Sequence, residues 1–157
     1  MDAEGNLYGM TNEGGDSSTN CPAPPGSPAG CGVAFELERP AFGNDRWTQR
    51  ILWNFSGNAD SGYPANSALA MQRNGNLLAT ASGTNNEGPG FYGAIVQLVR
   101  PEPGKTAWKE RTLYSFTNGA DGAVPVGTVV PQGGQWYGTT FGFTGVAAAG
   151  TVYRIAP

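Results

Sequence analysis

RILWNFSGNADSGYP (50–64) and RTLYSFTNGADGAVP (111–125) are two copies of one pattern. Trp47 and Trp108, Phe55 and Phe116, Asp60 and Asp121, and Pro64 and Pro125 each stand 61 residues apart. A fixed period of that length signals repeated supersecondary units. On either side the pattern continues. CGVAFEL (31–37) aligns with YGAIVQL (92–98) and AGTVYRI (149–155), and EGNLYGMT (4–11) aligns with NGNLLATA (74–81) and GQWYGTT (134–140). The unit therefore has four short segments. Segment a is RILWNF or RTLYSF, and segment b is SALAMQR or VGTVVPQ. Segment c is NLYGM, NLLAT or WYGTT, and segment d is VAFEL, AIVQL or TVYRI. The chain enters at c and runs c-d, a-b-c-d, a-b-c-d. That is two and a half units: a half repeat over 1–46, then full repeats over 47–107 and 108–157 of a single β-repeat domain.

Each segment reads as a strand. In d, Phe35, Val96 and Tyr153 share a face with Leu37, Leu98 and Ile155, while Glu36, Gln97 and Arg154 point to a wetter face. Segment c is apolar on both sides, as expected of a strand packed between sheets. Asn74-Gly75 and Gly133-Gly134 are hairpin signals between b and c. The expectation is an all-β chain of about ten strands in tandem four-stranded antiparallel units, β-propeller-like, with about two and a half blades. A β-trefoil is the alternative.

Composition agrees and excludes much. Of 157 residues, 25 are Gly and 12 Pro, and only 13% are charged, so turns are dense. There is no histidine, which removes Ser-His-Asp and Cys-His catalysis and His-ligated zinc. A net charge of −3 with scattered cations argues against nucleic acid. No apolar run reaches the ~20 residues of a membrane-spanning helix, so no membrane insertion is expected.

Cys21 and Cys31 flank CPAPPGSPAGC, a loop whose spacing allows a disulfide. A disulfide implies an oxidising, extracytoplasmic setting. No signal peptide is visible, since Met1 is followed at once by Asp2, Ala3 and Glu4. The chain reads as a piece of a longer protein, extracellular or at a cell surface.

DAEGNLYGMT, FSGNADSGYP, FTNGADGAVP, and WYGTT followed by GTVYRIAP together resemble the GloVer tandem repeats of bacterial exported proteins, over nearly the whole chain. The middle copy departs from the pattern with LLATA in place of LYGTT, and the Cys21–Cys31 loop is an insertion. The resemblance implies an exported, sometimes surface-anchored protein. That family has no settled activity, so no catalytic residue carries over.

The turns GNADSG (57–62) and NGADGA (118–123) put Asp60 and Asp121 in equivalent places. Such turns can hold calcium, but an aspartate accepting its own backbone N–H groups is the stronger reading, and no cofactor is expected. Asp60 with Asp121, or either with Glu87, is the acid pair considered for a hydrolase reading, although nothing in the spacing fixes the distance between them. Trp47 and Trp108 recur in register and read as core. Tyr63, Phe91, Tyr92, Phe141 and Phe143 fall in loops without recurring, and with Asn85 and Asn86 they form the expected ligand surface. Aromatic rings cover apolar sugar faces and amides match hydroxyls, so the leading expectation is a non-catalytic module that binds a glycan. A carbohydrate-active hydrolase or lyase using carboxylates, and a scaffold without ligand, are the alternatives. Antiparallel order puts the a-b and c-d connections at one end of the sheets, and that end is where a ligand is expected. Open sheet edges lead us to expect a homodimer or neighbouring repeats of a longer chain as partners.

Overall fold

The computed structural model describes residues 1–16, 30–57, 63–64, 67–82, 92–142 and 150–156. Among them every regular element is a strand, and the strands pair antiparallel in three small sheets. β1 (Leu7–Met10), β2 (Val33–Glu38) and β3 (Thr48–Asn54) form the first sheet in that order. The central sheet holds β4 (Tyr63–Pro64), β5 (Ala70–Met71), β6 (Leu77–Ser82), β7 (Ala94–Val99) and β8 (Lys109–Ser115), with β4 and β5 both along β6. β9 (Pro125–Gln132), β10 (Gln135–Thr140) and β11 (Val152–Ile155) form the third. In segment terms the sheets are c-d-a, b-c-d-a and b-c-d. Segment a pairs with the d that precedes it, and the chain then crosses to begin the next sheet at b. Sheet and sequence repeat are thus one strand out of phase. Segment b of the middle copy is broken, its ladder divided between β4 and β5. Tyr63, expected in a loop, lies in β4.

Local geometry repeats with the sequence. The β2–β3 register slips between Ala34 and Phe35, and the β7–β8 register slips between Ile95 and Val96, 61 residues on. Each bulge leaves one leucine, Leu52 or Leu113, without a ladder partner and twists the sheet locally. The β9–β10 turn is Gly133-Gly134 with both φ positive (57° and 78°), which suits a two-residue hairpin.

Two apolar layers lie between the sheets. Leu77, Ala79, Val96 and Leu98 of the central sheet pack with Ala34, Leu52 and Phe55 of the first, joined by Tyr8, Met10 and Trp108. The opposite face of the central sheet, with Ala70, Leu78 and Leu113, meets Val129, Trp136, Tyr153 and Ile155 of the third. β6 is therefore apolar on both sides because both sides are covered. Trp108 is in this core, whereas its counterpart Trp47 is exposed.

The face of Glu36 and Gln97, expected to be wet, is buried: these side chains are 4% and 6% exposed. Stacking a second sheet on that face removes it from water, and cross-strand arginines supply partners. Arg50 Nε donates to Glu36 Oε2 at 3.0 Å, and Arg111 Nη2 donates to Gln97 Oε1 at 3.0 Å.

The LLATA departure also has a packing reason. In the first sheet the Phe35 ring lies over Gly9, where a Cβ would come within 2.6 Å of Cζ. In the third sheet the Tyr153 ring lies over Gly138 in the same way. The central sheet pairs Ala79 with Val96, so a smaller side chain leaves room for the methyl.

Candidate functional site

Three connections meet at one end of the central and third sheets. Val124 N–H donates to Tyr92 O at 2.7 Å, Phe141 N–H donates to Val124 O at 2.9 Å, and Gly142 N–H donates to Ala123 O at 3.0 Å. The a-b connection between β8 and β9 is thereby laced to the c-d connections of both sheets. Val124 has φ 54°, a left-handed backbone that a β-branched residue rarely adopts. Strain of this kind costs about 1–3 kcal/mol, persists only where surroundings impose it, and concentrates at binding sites. Phe141 is 72% exposed beside this junction, and Tyr92 is half-buried.

Asp121 holds the a-b turn together. Its Oδ2 accepts from Thr117 N–H (2.8 Å) and the Tyr114 hydroxyl (3.0 Å), and its Oδ1 accepts from the Thr117 hydroxyl (2.6 Å) and Gly119 N–H (3.1 Å). Burial alone would raise its pKa, but these donors, Thr117 foremost, outweigh burial and hold the carboxyl below its ordinary range. The bond to Asp121 in turn raises the Tyr114 hydroxyl. With four donors on two oxygens, Asp121 works as the clasp of its own turn. Thr151 Oγ1 fastens the turn to the third sheet by donating to Asp121 O at 2.9 Å.

The structure thus brings together Tyr92, Phe141 and the Asp121 turn. Asp60, Asn85, Asn86, Glu87, Phe91 and Phe143 lie outside the described residues, and only the backbone of Tyr63 is described. Among the described residues no group of three or more His, Cys, Asp or Glu could hold a metal. Cys31 is fully buried, and Cys21 lies outside the described residues. No helix among the described residues is long and apolar enough to cross a membrane.

Sequence reasoning missed a charged cluster in the first sheet. The Tyr8 hydroxyl lies 2.9 Å from Asp2 Oδ2 and 2.8 Å from Glu36 Oε1, and Asn6 Nδ2 donates to Asp2 Oδ2 at 2.9 Å. Burial and the two carboxylates push the Tyr8 hydroxyl well above its ordinary pKa. Two carboxylates around one hydroxyl look like acid–base machinery. The central sheet argues otherwise, because the same positions recur there without charge: Gln97 Nε2 donates to Gln72 Oε1 at 2.5 Å, and Leu78 stands in place of Tyr8. A network that repeats after losing its carboxylates is architecture. The signal available in sequence was the change from Tyr8 and Glu36 to Leu78 and Gln97 at one repeat phase.

Comparison with protein-family models, curated proteins and solved structures finds no match for the chain.

Proposed function

We propose that the chain is a non-catalytic, GloVer-type β-repeat module of an exported or cell-surface protein, built as part of a β-propeller, and that it binds carbohydrate at the loop end of its sheets. One observation carries the binding face: the convergence of Tyr92, Phe141 and the Asp121 turn on the strained residue Val124. A regular scaffold holds these loops, and an exposed aromatic ring stands beside backbone and hydroxyl groups, the combination a sugar face requires. The propeller reading draws on the crossover from the last strand of one sheet to the first of the next, seen at β3 to β4 and at β8 to β9. The charge-free copy of the Tyr8 cluster favours a binding module over a hydrolase.

A glycan array on the purified chain tests the ligand class. Phe141→Ala and Tyr92→Ala are expected to weaken binding of any sugar found while leaving the melting temperature nearly unchanged. Equal loss of binding and stability would make both residues core and remove the binding face. The extracytoplasmic setting rests on a Cys21–Cys31 disulfide. In denaturant without reductant no thiol should react with a thiol reagent, and two should react after reduction.

A further inference from the structure

RPAFGNDRW (39–47) and RPEPGKTAW (100–108), the d-a connections of the first and central sheets, are copies at the 61-residue period. Both hold their leading arginine in the same way. Asn6 Oδ1 accepts from Arg39 N–H and Asn76 Oδ1 from Arg100 N–H, each at 2.9 Å. Each side chain then lies across the glycine just before strand c, its Cδ 2.9 Å from where a Cβ on Gly5 or Gly75 would stand. The fold thus orders both arginines in advance, a cost that a ligand is spared. Neither guanidinium has a hydrogen-bond or ion-pair partner among the described residues. What surrounds the two arginines differs. Arg100 borders a recess of about 640 Å³ that Arg50 of β3 and Lys105 also line, with Glu102 as its one carboxylate among the described residues. Three of the chain's nine cations, scattered in sequence, meet there in a protein of net charge −3. The recess beside Arg39, of about 680 Å³, is lined by Glu4, Asn44 and Asp45 where the other has Asn74, Lys105 and Thr106. One scaffold therefore carries opposite charge in its two copies.

We propose that the recess between Arg50, Arg100 and Lys105 binds a phosphate group. Cations gathered in one recess repel each other, and an anion among them removes that repulsion. The Arg100 fork suits two oxygens of a phosphate, and Lys105 adds a point charge beside it. Lys105 Nζ lies 2.8 Å from Glu102 Oε2, but both side chains are exposed, so this pair costs little to open. Arg50 gives Nε and Nη2 to Glu36 and has its remaining nitrogen without a partner among the described residues. A singly charged carboxylate would leave part of this positive charge unmatched, which favours phosphate. The recess lies at the end of the sheets that carries the b-c and d-a turns, so this inference is independent of the carbohydrate reading.

The probes are inorganic phosphate, glucose 6-phosphate and glucose, titrated at low salt into the isotope-labelled intact chain and read by NMR. A pH of about 7.5 keeps the phosphate group above its second pKa of about 6. The Asn76 side-chain amide signals should shift with both phosphates and not with glucose, and added sodium chloride should reverse the shift. Equal affinity for the two phosphates assigns recognition to the anion alone, and tighter glucose 6-phosphate assigns it to a sugar ester. Arg100→Gln should weaken binding about fivefold, the upper range for an exposed charge pair. Arg39→Gln makes the same charge change at the sister recess and should leave binding unchanged. The triple variant Asn74→Glu, Lys105→Asn, Thr106→Asp gives the second recess the residues of the first and should abolish binding. Each of those residues already stands at that place in the first copy, so the scaffold accommodates them. No shift with either phosphate, an equal shift with glucose, equal effects of Arg39→Gln and Arg100→Gln, or undiminished binding by the triple variant would each overturn the proposal.

Discussion

Gly9 and Phe35 make a pair whose sizes are matched across the ladder, and the central sheet shows the alternative match in Ala79 and Val96. A methyl at Gly9 would press into the Phe35 ring. Gly9→Ala is therefore expected to destabilise the fold by about 1–3 kcal/mol, as overpacking does. The double variant Gly9→Ala with Phe35→Val should recover much of that loss in urea unfolding, a coupling that independent sites would not show. Asp121 gives a pH-dependent prediction at the same scale. Its hydrogen bonds hold the folded carboxyl below the unfolded value of about 3.9, so its contribution is complete above that pH and disappears as pH falls through the folded pKa. Melting temperature should fall on acidification from about pH 5 towards pH 2. Asp121→Asn should melt lower at neutral pH and show a flatter acid limb, the two curves converging in acid. Parallel curves would mean that the carboxylate does not hold the turn.

At the scale of elements, the repeat made the strands legible before any coordinates. Segments c and d alternate or run apolar, and glycine pairs mark the b-c turns. Burial of Glu36 and Gln97 was not legible, because a period of two shows that a strand has a polar face without showing what will be stacked on it. The break between β4 and β5 was also hidden, since Pro64 has its counterpart in Pro125, from which β9 runs on unbroken. Of the candidate site, Tyr92, Phe141 and Asp121 could be picked out as loop residues. Their meeting at Val124 could not, because it depends on hydrogen bonds between connections of two different sheets. The pairing of exposed arginines with the buried Glu36 and Gln97 makes a further prediction. Glu36→Gln reproduces what the central sheet already has in Gln97, and should cost less than about 1 kcal/mol. Arg50→Ala leaves the Glu36 carboxylate buried with its strongest donor gone, and should cost about 2 kcal/mol in the same urea measurement. Equal costs for the two variants would contradict this account of the network.

At the scale of the whole molecule, the three sheets form a stack whose two outer faces are uncovered among the described residues. The first sheet shows Leu7 at 40% exposure and Ile51 at 46%, in the layer whose central-sheet counterparts Leu77, Val96 and Leu98 are completely buried. The third sheet shows Val130 and Val152 on the side by which the central sheet, and not the third, receives a neighbour. Each outer face therefore repeats one half of an interface already made inside the chain. A second copy can dock its first sheet on the third sheet of the first copy, head to tail, using the contacts that join the internal sheets. Heterologous contacts of this kind form rings when the rotation closes and filaments when it does not. On the propeller reading proposed above, two copies of three sheets bring six, within the roughly four to eight blades of a closed ring. The expected outcome is a homodimer whose fraction rises with protein concentration in light scattering. Ile51→Lys and Val130→Lys lie on opposite faces, and each alone should return the chain to a monomer with little change in melting temperature, because both side chains are exposed within a single copy. A wild-type chain that stays monomeric at every concentration would assign both faces to neighbouring repeats of one longer polypeptide instead of a second copy.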